Sequence, residues 1–155
     1  MEPNIDIIEF TDEHATAFGD LNREWLKRYG LLESHDELQI DNPRKYILNG
    51  GGSIFLAKAA NEIVGTAALV KTGKGEYELA KMAVTNKWQG RGIGKLLIEK
   101  CLSTAKNTGA ERITLFSNSQ LQTAIKMYEK YGFKHIEVSG TPYETADVKM
   151  ELLIK

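Results

Sequence analysis

Along the chain, short β-branched or alternating apolar runs are separated by longer stretches in which apolar residues recur every three or four positions. Residues 4–10 read as a strand, and 12–29 as a helix with Phe18, Leu21, Trp25 and Leu26 on one face. Ser34-His35-Asp36-Glu37 fits a capping box and predicts a short helix from residue 34. Pro43 opens a further helical segment that Gly50-Gly51-Gly52 ends. Residues 53–59 and 62–70 flank a tight turn at Ala60-Asn61 and predict a hairpin, and "KTGKGE" is a second turn into a strand over 77–84. After a glycine-rich loop, Ile93, Leu97, Cys101 and Ala105, flanked by Leu96 and Leu102, trace the apolar face of a long helix closed by Gly109. A strand over 112–116, a helix over 120–131 closed by Gly132, and strands over 133–138 and 147–153 complete the chain. The hairpins call for antiparallel pairs, and the strand–helix–strand unit over 77–116 calls for one parallel pair. The expected fold is therefore α/β, a single domain over 1–155 with a mixed sheet of about seven strands.

Composition narrows the function. The 155 residues suit one domain. A net charge of −1 gives no electrostatic footprint for nucleic acid or an anionic membrane, so neither is an expected partner. No apolar run reaches the length of a membrane span, and "MEPNIDIIEF" lacks the basic-then-apolar pattern of a secretory leader, which makes a cytoplasmic location the expectation. The lone Cys101 sits among apolar helical positions as a buried thiol. His14, His35 and His135 show no helical pairing with carboxylates or cysteine, so no metal is expected.

The three glycines of "QGRGIGK" stand where a helix begins, although each weakens a helix by about 1 kcal/mol relative to alanine. Bare backbone at a helix start suits an anion, because the first N–H groups lack intrahelical partners and the dipole favours negative charge. The loop reads as a pyrophosphate cradle, with Arg91 and Lys95 as added cations. It is not a Walker loop: Gln89 stands where that pattern needs glycine, and Leu96 where it needs Ser or Thr. The alternate spacing of Gly90, Gly92 and Gly94 also fails the dinucleotide fingerprint. A flexible helix cap remains the plainer reading of the loop taken by itself.

Gln89-Gly90-Arg91-Gly92-Ile93-Gly94, preceded by the strand "YELAKMAVT", resembles the Q/R-x-x-G-x-G/A signature of the GNAT family of N-acetyltransferases. Downstream, Asn118, Ala124, Tyr128, Gly132 and Phe133 are similar to that family's second signature, in the same order along the chain. The resemblance implies a splayed sheet with helices on both faces and acetyl-CoA as cosubstrate. The backbone of Met82, Ala83 and Val84 would bind pantetheine or the oxyanion. The amides of Gln89, Gly90, Arg91, Gly92, Ile93, Gly94 and Lys95 would hold the pyrophosphate, and Asn118 would touch the pantetheine arm. Tyr128 would stabilise the leaving thiolate with a proton or a hydrogen bond. Glu78 matches the position where some relatives carry a general base, unless a water chain serves instead. On a regular strand it shares a face with Ala80, Met82 and Val84, which a bulge would change.

The implied function is direct transfer of an acetyl group to a primary amine, on a small molecule or a peptide. Acceptors in this fold enter over the first helices and the loop between the last two strands, here residues 25–41 and "SGTPYETAD". Glu33, Asp36, Glu37 and Asp41 could attract a cationic amine or form a solvated helix face. Homodimers are common in the family, and the sequence leaves the assembly open. A CoA-binding regulatory module without turnover is the alternative, and a nucleotide-binding module of another class a more distant one.

Overall fold

The computed structural model describes residues 4–154. Residues 1–3, part of the stretch read as lacking a leader, lie outside the described residues. Seven strands form one sheet: β1 (Ile5–Glu9), β2 (Ser53–Ala59), β3 (Glu62–Gly73), β4 (Glu76–Val84), β5 (Arg112–Ser117), β6 (Lys134–Ile136) and β7 (Val148–Leu153). Their order across the sheet is β1-β2-β3-β4-β5-β7-β6. Among the described residues only the central β4–β5 pair is parallel, as the strand–helix–strand unit predicts.

Alternation along β2 distributes the core to both faces. Ile54 and Leu56 join Phe18 of helix α1 (Ala15–Arg28) and Ile47 on one side. Phe55, Ala57 and Ala59 join Ile93, Leu97, Ile98 and Cys101 of helix α3 (Ile93–Asn107) on the other. Helix α4 (Gln122–Lys130) adds Ile125 and Tyr128 to that second cluster. Each fully buried Leu, Ile or Phe stabilises the fold by roughly 1.5–3 kcal/mol, so the sheet is clamped from both sides. Cys101 is buried as expected, and burial pushes its thiol up to about 12. The α3 face differs in one respect: Leu96 is 38% exposed and Ile98 fills the core position instead.

Other boundaries shift for local reasons. Helix α2 (Ser34–Asp41) begins at Ser34, but Glu33 rather than Ser34 takes the cap position, and its N–H donates to Asp36 Oδ2 at 3.0 Å. The segment opened by Pro43 forms only one wide turn, Arg44–Leu48. Helix α4 starts late because Asn118 first turns the chain, accepting from Gln120 N–H through Oδ1 at 3.1 Å and from Leu121 N–H through its carbonyl at 2.9 Å. Strand β6 is limited to the three residues that pair with β7.

Two irregularities of β4 position the site. Its parallel ladder with β5 runs from Glu76↔Arg112 to Glu78↔Thr114 and goes no further, although β4 continues to Val84 and β5 to Ser117. On its other edge, Thr66↔Ala83 is followed by Ala68↔Ala80, so Lys81 and Met82 together oppose Ala67. That is a β-bulge, with Lys81 at φ +52°.

Candidate active site

The parting of β4 and β5 opens a cleft of about 490 Å³. Met82, Ala83 and Val84 line one side, Phe116 to Asn118 the other, and the start of α3 closes one end. Of the residues singled out in the sequence, Glu78, Gln89, Gly90, Gly92, Ile93, Gly94, Lys95, Asn118 and Tyr128 also line it. Arg91 does not: its guanidinium lies over the Trp88 ring, 4.7 Å from the centroid.

The glycine loop has a conformational cause. Gly90 and Gly92 take φ of +78° and +79°, the left-handed region that other residues enter at a cost. A Cβ at either would meet nothing within 4 Å, so backbone conformation rather than crowding within the protein selects glycine. Gly92 is the N-cap of α3, and the first N–H groups of that helix lie beside the cleft. Gln89 secures the loop by donating from Nε2 to the Val84 carbonyl at 3.0 Å.

Tyr128 is buried, with its hydroxyl donating to Met82 Sδ at 3.6 Å and its ring edge-on to Phe133. Burial raises the phenol to about 12, which keeps it protonated at neutral pH. Glu78 is buried on the other side of the strand. The bulge corrects the regular-strand expectation: the extra residue inverts the alternation, so Met82 and Val84 pack on the α3 side while Glu78 and Ala80 face α1 and α2. Burial raises the Glu78 carboxyl, and Lys81 and the Tyr143 hydroxyl, which donates to Oε2 at 3.4 Å, offset this in part.

Around Glu78 lies a polar cluster that the sequence shows only in fragments. Lys81 turns inward at the bulge and its Nζ donates to Asp36 Oδ1 at 2.6 Å. The same ammonium lies 5.4 Å from the centre of the Tyr143 ring, which also packs edge-on against His35 and Phe116. The acidic set divides. Asp36 is buried against Lys81, whereas Glu37 and Asp41 pair with Arg23 at the surface. Glu33 accepts from the backbone N–H groups of Glu144 and Thr145 and from the Thr145 hydroxyl, binding the β6–β7 loop to α2. Asn118 donates to the Thr145 carbonyl at 2.8 Å, and Asp147 accepts from Ser119, so the loop is tied to the end of β5 as well. Lys81 is the participant that pattern reading misses. Its signal is a lysine that interrupts the apolar "LAKMAV".

Trp25, Tyr29 and Leu31, and from the β6–β7 loop Tyr143, Thr145 and Ala146, also line the cleft. Among the described residues no cluster of three His, Cys, Asp or Glu side chains is arranged to hold a metal ion, and no helix is long and apolar enough to cross a membrane.

Comparison with known proteins gives a consistent picture. Residues 15–133 match the model of the acetyltransferase (GNAT) family. An uncharacterised N-acetyltransferase of Mycobacterium tuberculosis is 33% identical over 129 residues, spanning 83% of this chain and 71% of that protein. A GNAT-family acetyltransferase from Staphylococcus aureus superposes with a TM-score of 0.90 at 24% identity, covering 98% of this chain and 100% of the other. The PaiA N-acetyltransferase of Thermoplasma acidophilum, solved with coenzyme A, superposes at 0.76 with 20% identity, covering 97% and 99%.

Proposed function

The chain belongs to the GNAT acetyltransferase family, and from that premise we propose that it transfers the acetyl group of acetyl-CoA directly to a primary amine, with Glu78 and Tyr128 as base and acid. The observation that carries this reading is the placement of these two groups on opposite faces of β4, both lining the cleft where β4 leaves β5.

The left-handed Gly90 and Gly92 present backbone N–H groups and the start of α3 to the pyrophosphate. The unpaired edge of β4 over Met82–Val84 receives the pantetheine arm as an added strand. The amine arrives from the Glu78 face, between the helices α1 and α2 and the β6–β7 loop. Glu78 takes its proton, directly or through water, and the free nitrogen attacks the thioester carbonyl carbon. A backbone N–H of Ala83 or Val84 receives the oxyanion. As the C–S bond breaks, the Tyr128 hydroxyl supplies a proton to the sulfur on the far face. The raised Glu78 carboxyl is a stronger base than an exposed glutamate, and the Tyr128 phenol is protonated at neutral pH, so a proton is present to be given or shared as the thiolate forms.

A thermal-shift titration with acetyl-CoA, CoA, ATP and NAD tests the cofactor class. At 100 times its dissociation constant a ligand stabilises the native state by about 2.7 kcal/mol. Stabilisation by the two CoA species alone is the expected outcome; a response to ATP or NAD without one to CoA overturns the reading.

A further inference from the structure

A second cavity, of about 440 Å³, lies on the α2 side of the sheet. Its floor is formed by outward residues of the central strands, and it shares Glu78 and Phe116 with the reaction cleft. Tyr143 stands between the two spaces, hydrogen-bonded to Glu78 and packed on Phe116. Three features show what the second cavity is built to receive.

The first is Lys149. Its Nζ donates to the Ser139 carbonyl at 3.0 Å and lies 5.1 Å from the centre of the Phe116 ring. Among the described residues no carboxylate lies within ion-pair distance of it. The neighbouring cation, Arg112, is already held by Glu151 and Glu76. The second feature is Gln39, only 5% exposed, whose Oε1 is buried without a hydrogen-bond partner. A buried acceptor left unsatisfied costs roughly 1–3 kcal/mol, which an N–H or O–H donor would relieve. The third is the rim, where Leu38 and Tyr46 expose large apolar surfaces.

We propose that this cavity is an acceptor subsite for amines that carry a carboxylate and an amide N–H, such as short peptides. The carboxylate pairs with Lys149, the apolar body lies against Leu38 and Tyr46, and the amide N–H donates to Gln39 Oε1 as that side chain turns from its buried position into the cavity. The reacting amine meets Glu78 at the wall common to both spaces. This subsite rests on the acetyl-transfer reading above.

The test uses the whole protein and matched pairs that differ only at the far end: glycyl-phenylalanine and glycyl-tryptophan, each against its C-terminal amide. The carboxylates should show a KM lower by about tenfold or more, the effect of one charge-assisted contact. Lys149→Met should erase that preference and Lys149→Arg should keep most of it. Lys149 also attracts the Glu78 carboxylate, but because each amide serves as the control within the same variant, that effect cancels in the comparison. Equal KM values in the parent protein, or a preference that survives Lys149→Met, overturns the subsite. Protein that is stabilised by acetyl-CoA yet acetylates none of these peptides overturns the subsite alone. Absence of that stabilisation overturns the acetyl-transfer reading beneath it as well.

Discussion

Lys81 Nζ and Asp36 Oδ1 stand 2.6 Å apart with both side chains only 4% exposed, so a buried ion pair joins the bulge of β4 to the first turn of α2. Removing one partner strands the other charge in a dry site. Asp36→Asn should therefore destabilise the protein by about 3–5 kcal/mol, measured by urea unfolding. Replacing both, as in Asp36→Leu with Lys81→Met, should cost clearly less than the sum of the two single changes. An additive double-mutant cycle would show that the pair is not coupled.

Tyr128→Phe removes the hydroxyl beside Met82 and leaves the ring packed on Phe133. Turnover should fall by about a hundredfold, the usual scale for losing a general acid, while the dissociation constant for acetyl-CoA stays within a factor of about three. Equal turnover at several pH values would remove Tyr128 from the mechanism.

Glu78 carries a prediction for stability as well as for rate. Its carboxyl is raised in the native state from the ordinary 4.5, so the folded protein holds that proton to higher pH than the unfolded chain does. The native state thus loses stability as pH rises from the ordinary glutamate range through the raised value. Glu78→Gln should be more stable than the parent at pH 7, with the difference shrinking below the ordinary range. The same variant should lose most activity and the acidic limb of the pH–rate profile, which reports the proton on the base. An unchanged acidic limb would favour a water chain.

Gly92 sits at φ +79° with open space around it. Gly92→Ala should cost about 1–2 kcal/mol through the left-handed backbone alone. Gly92→Glu should in addition weaken acetyl-CoA binding by more than tenfold, since it sets a carboxylate against the pyrophosphate. Calorimetry on both variants separates the two effects, and unchanged affinity in the glutamate variant would remove the cradle.

Much of this arrangement is legible in the sequence because it depends on short-range signals. The glycine loop, the apolar face of α3 and the hairpins all follow from residues close in sequence, and each forms where the pattern places it, apart from the exchange of Leu96 for Ile98 on α3. The bulge is legible only as a break in phase, since the polar Glu78 and Lys81 of "ELAKMAV" stand three apart, and it is the register against β3 that places the extra residue. Which face Glu78 occupies relative to Met82 therefore had to come from the sheet. The fate of the acidic residues of α2 is hidden for a similar reason. Asp36 differs from Glu37 only by the lysine it meets 45 residues later, and Glu33 only by the loop residues that reach it.

The parting of β4 from β5 has a further consequence. A seven-stranded sheet ordinarily has two edges, where backbone donors and acceptors face outward, yet here part of an edge lies in the middle of the sheet. Such an opening reads a visitor by its backbone-like polarity and its thickness, with little regard to side-chain chemistry. A linear amide-bearing arm can lie along it as one more strand, whereas a flat heterocycle has no matching row of donors and acceptors. The sheet interrupted at Glu78 and Thr114 is in this sense a selective filter, set by main-chain geometry and only tuned by the side chains around it.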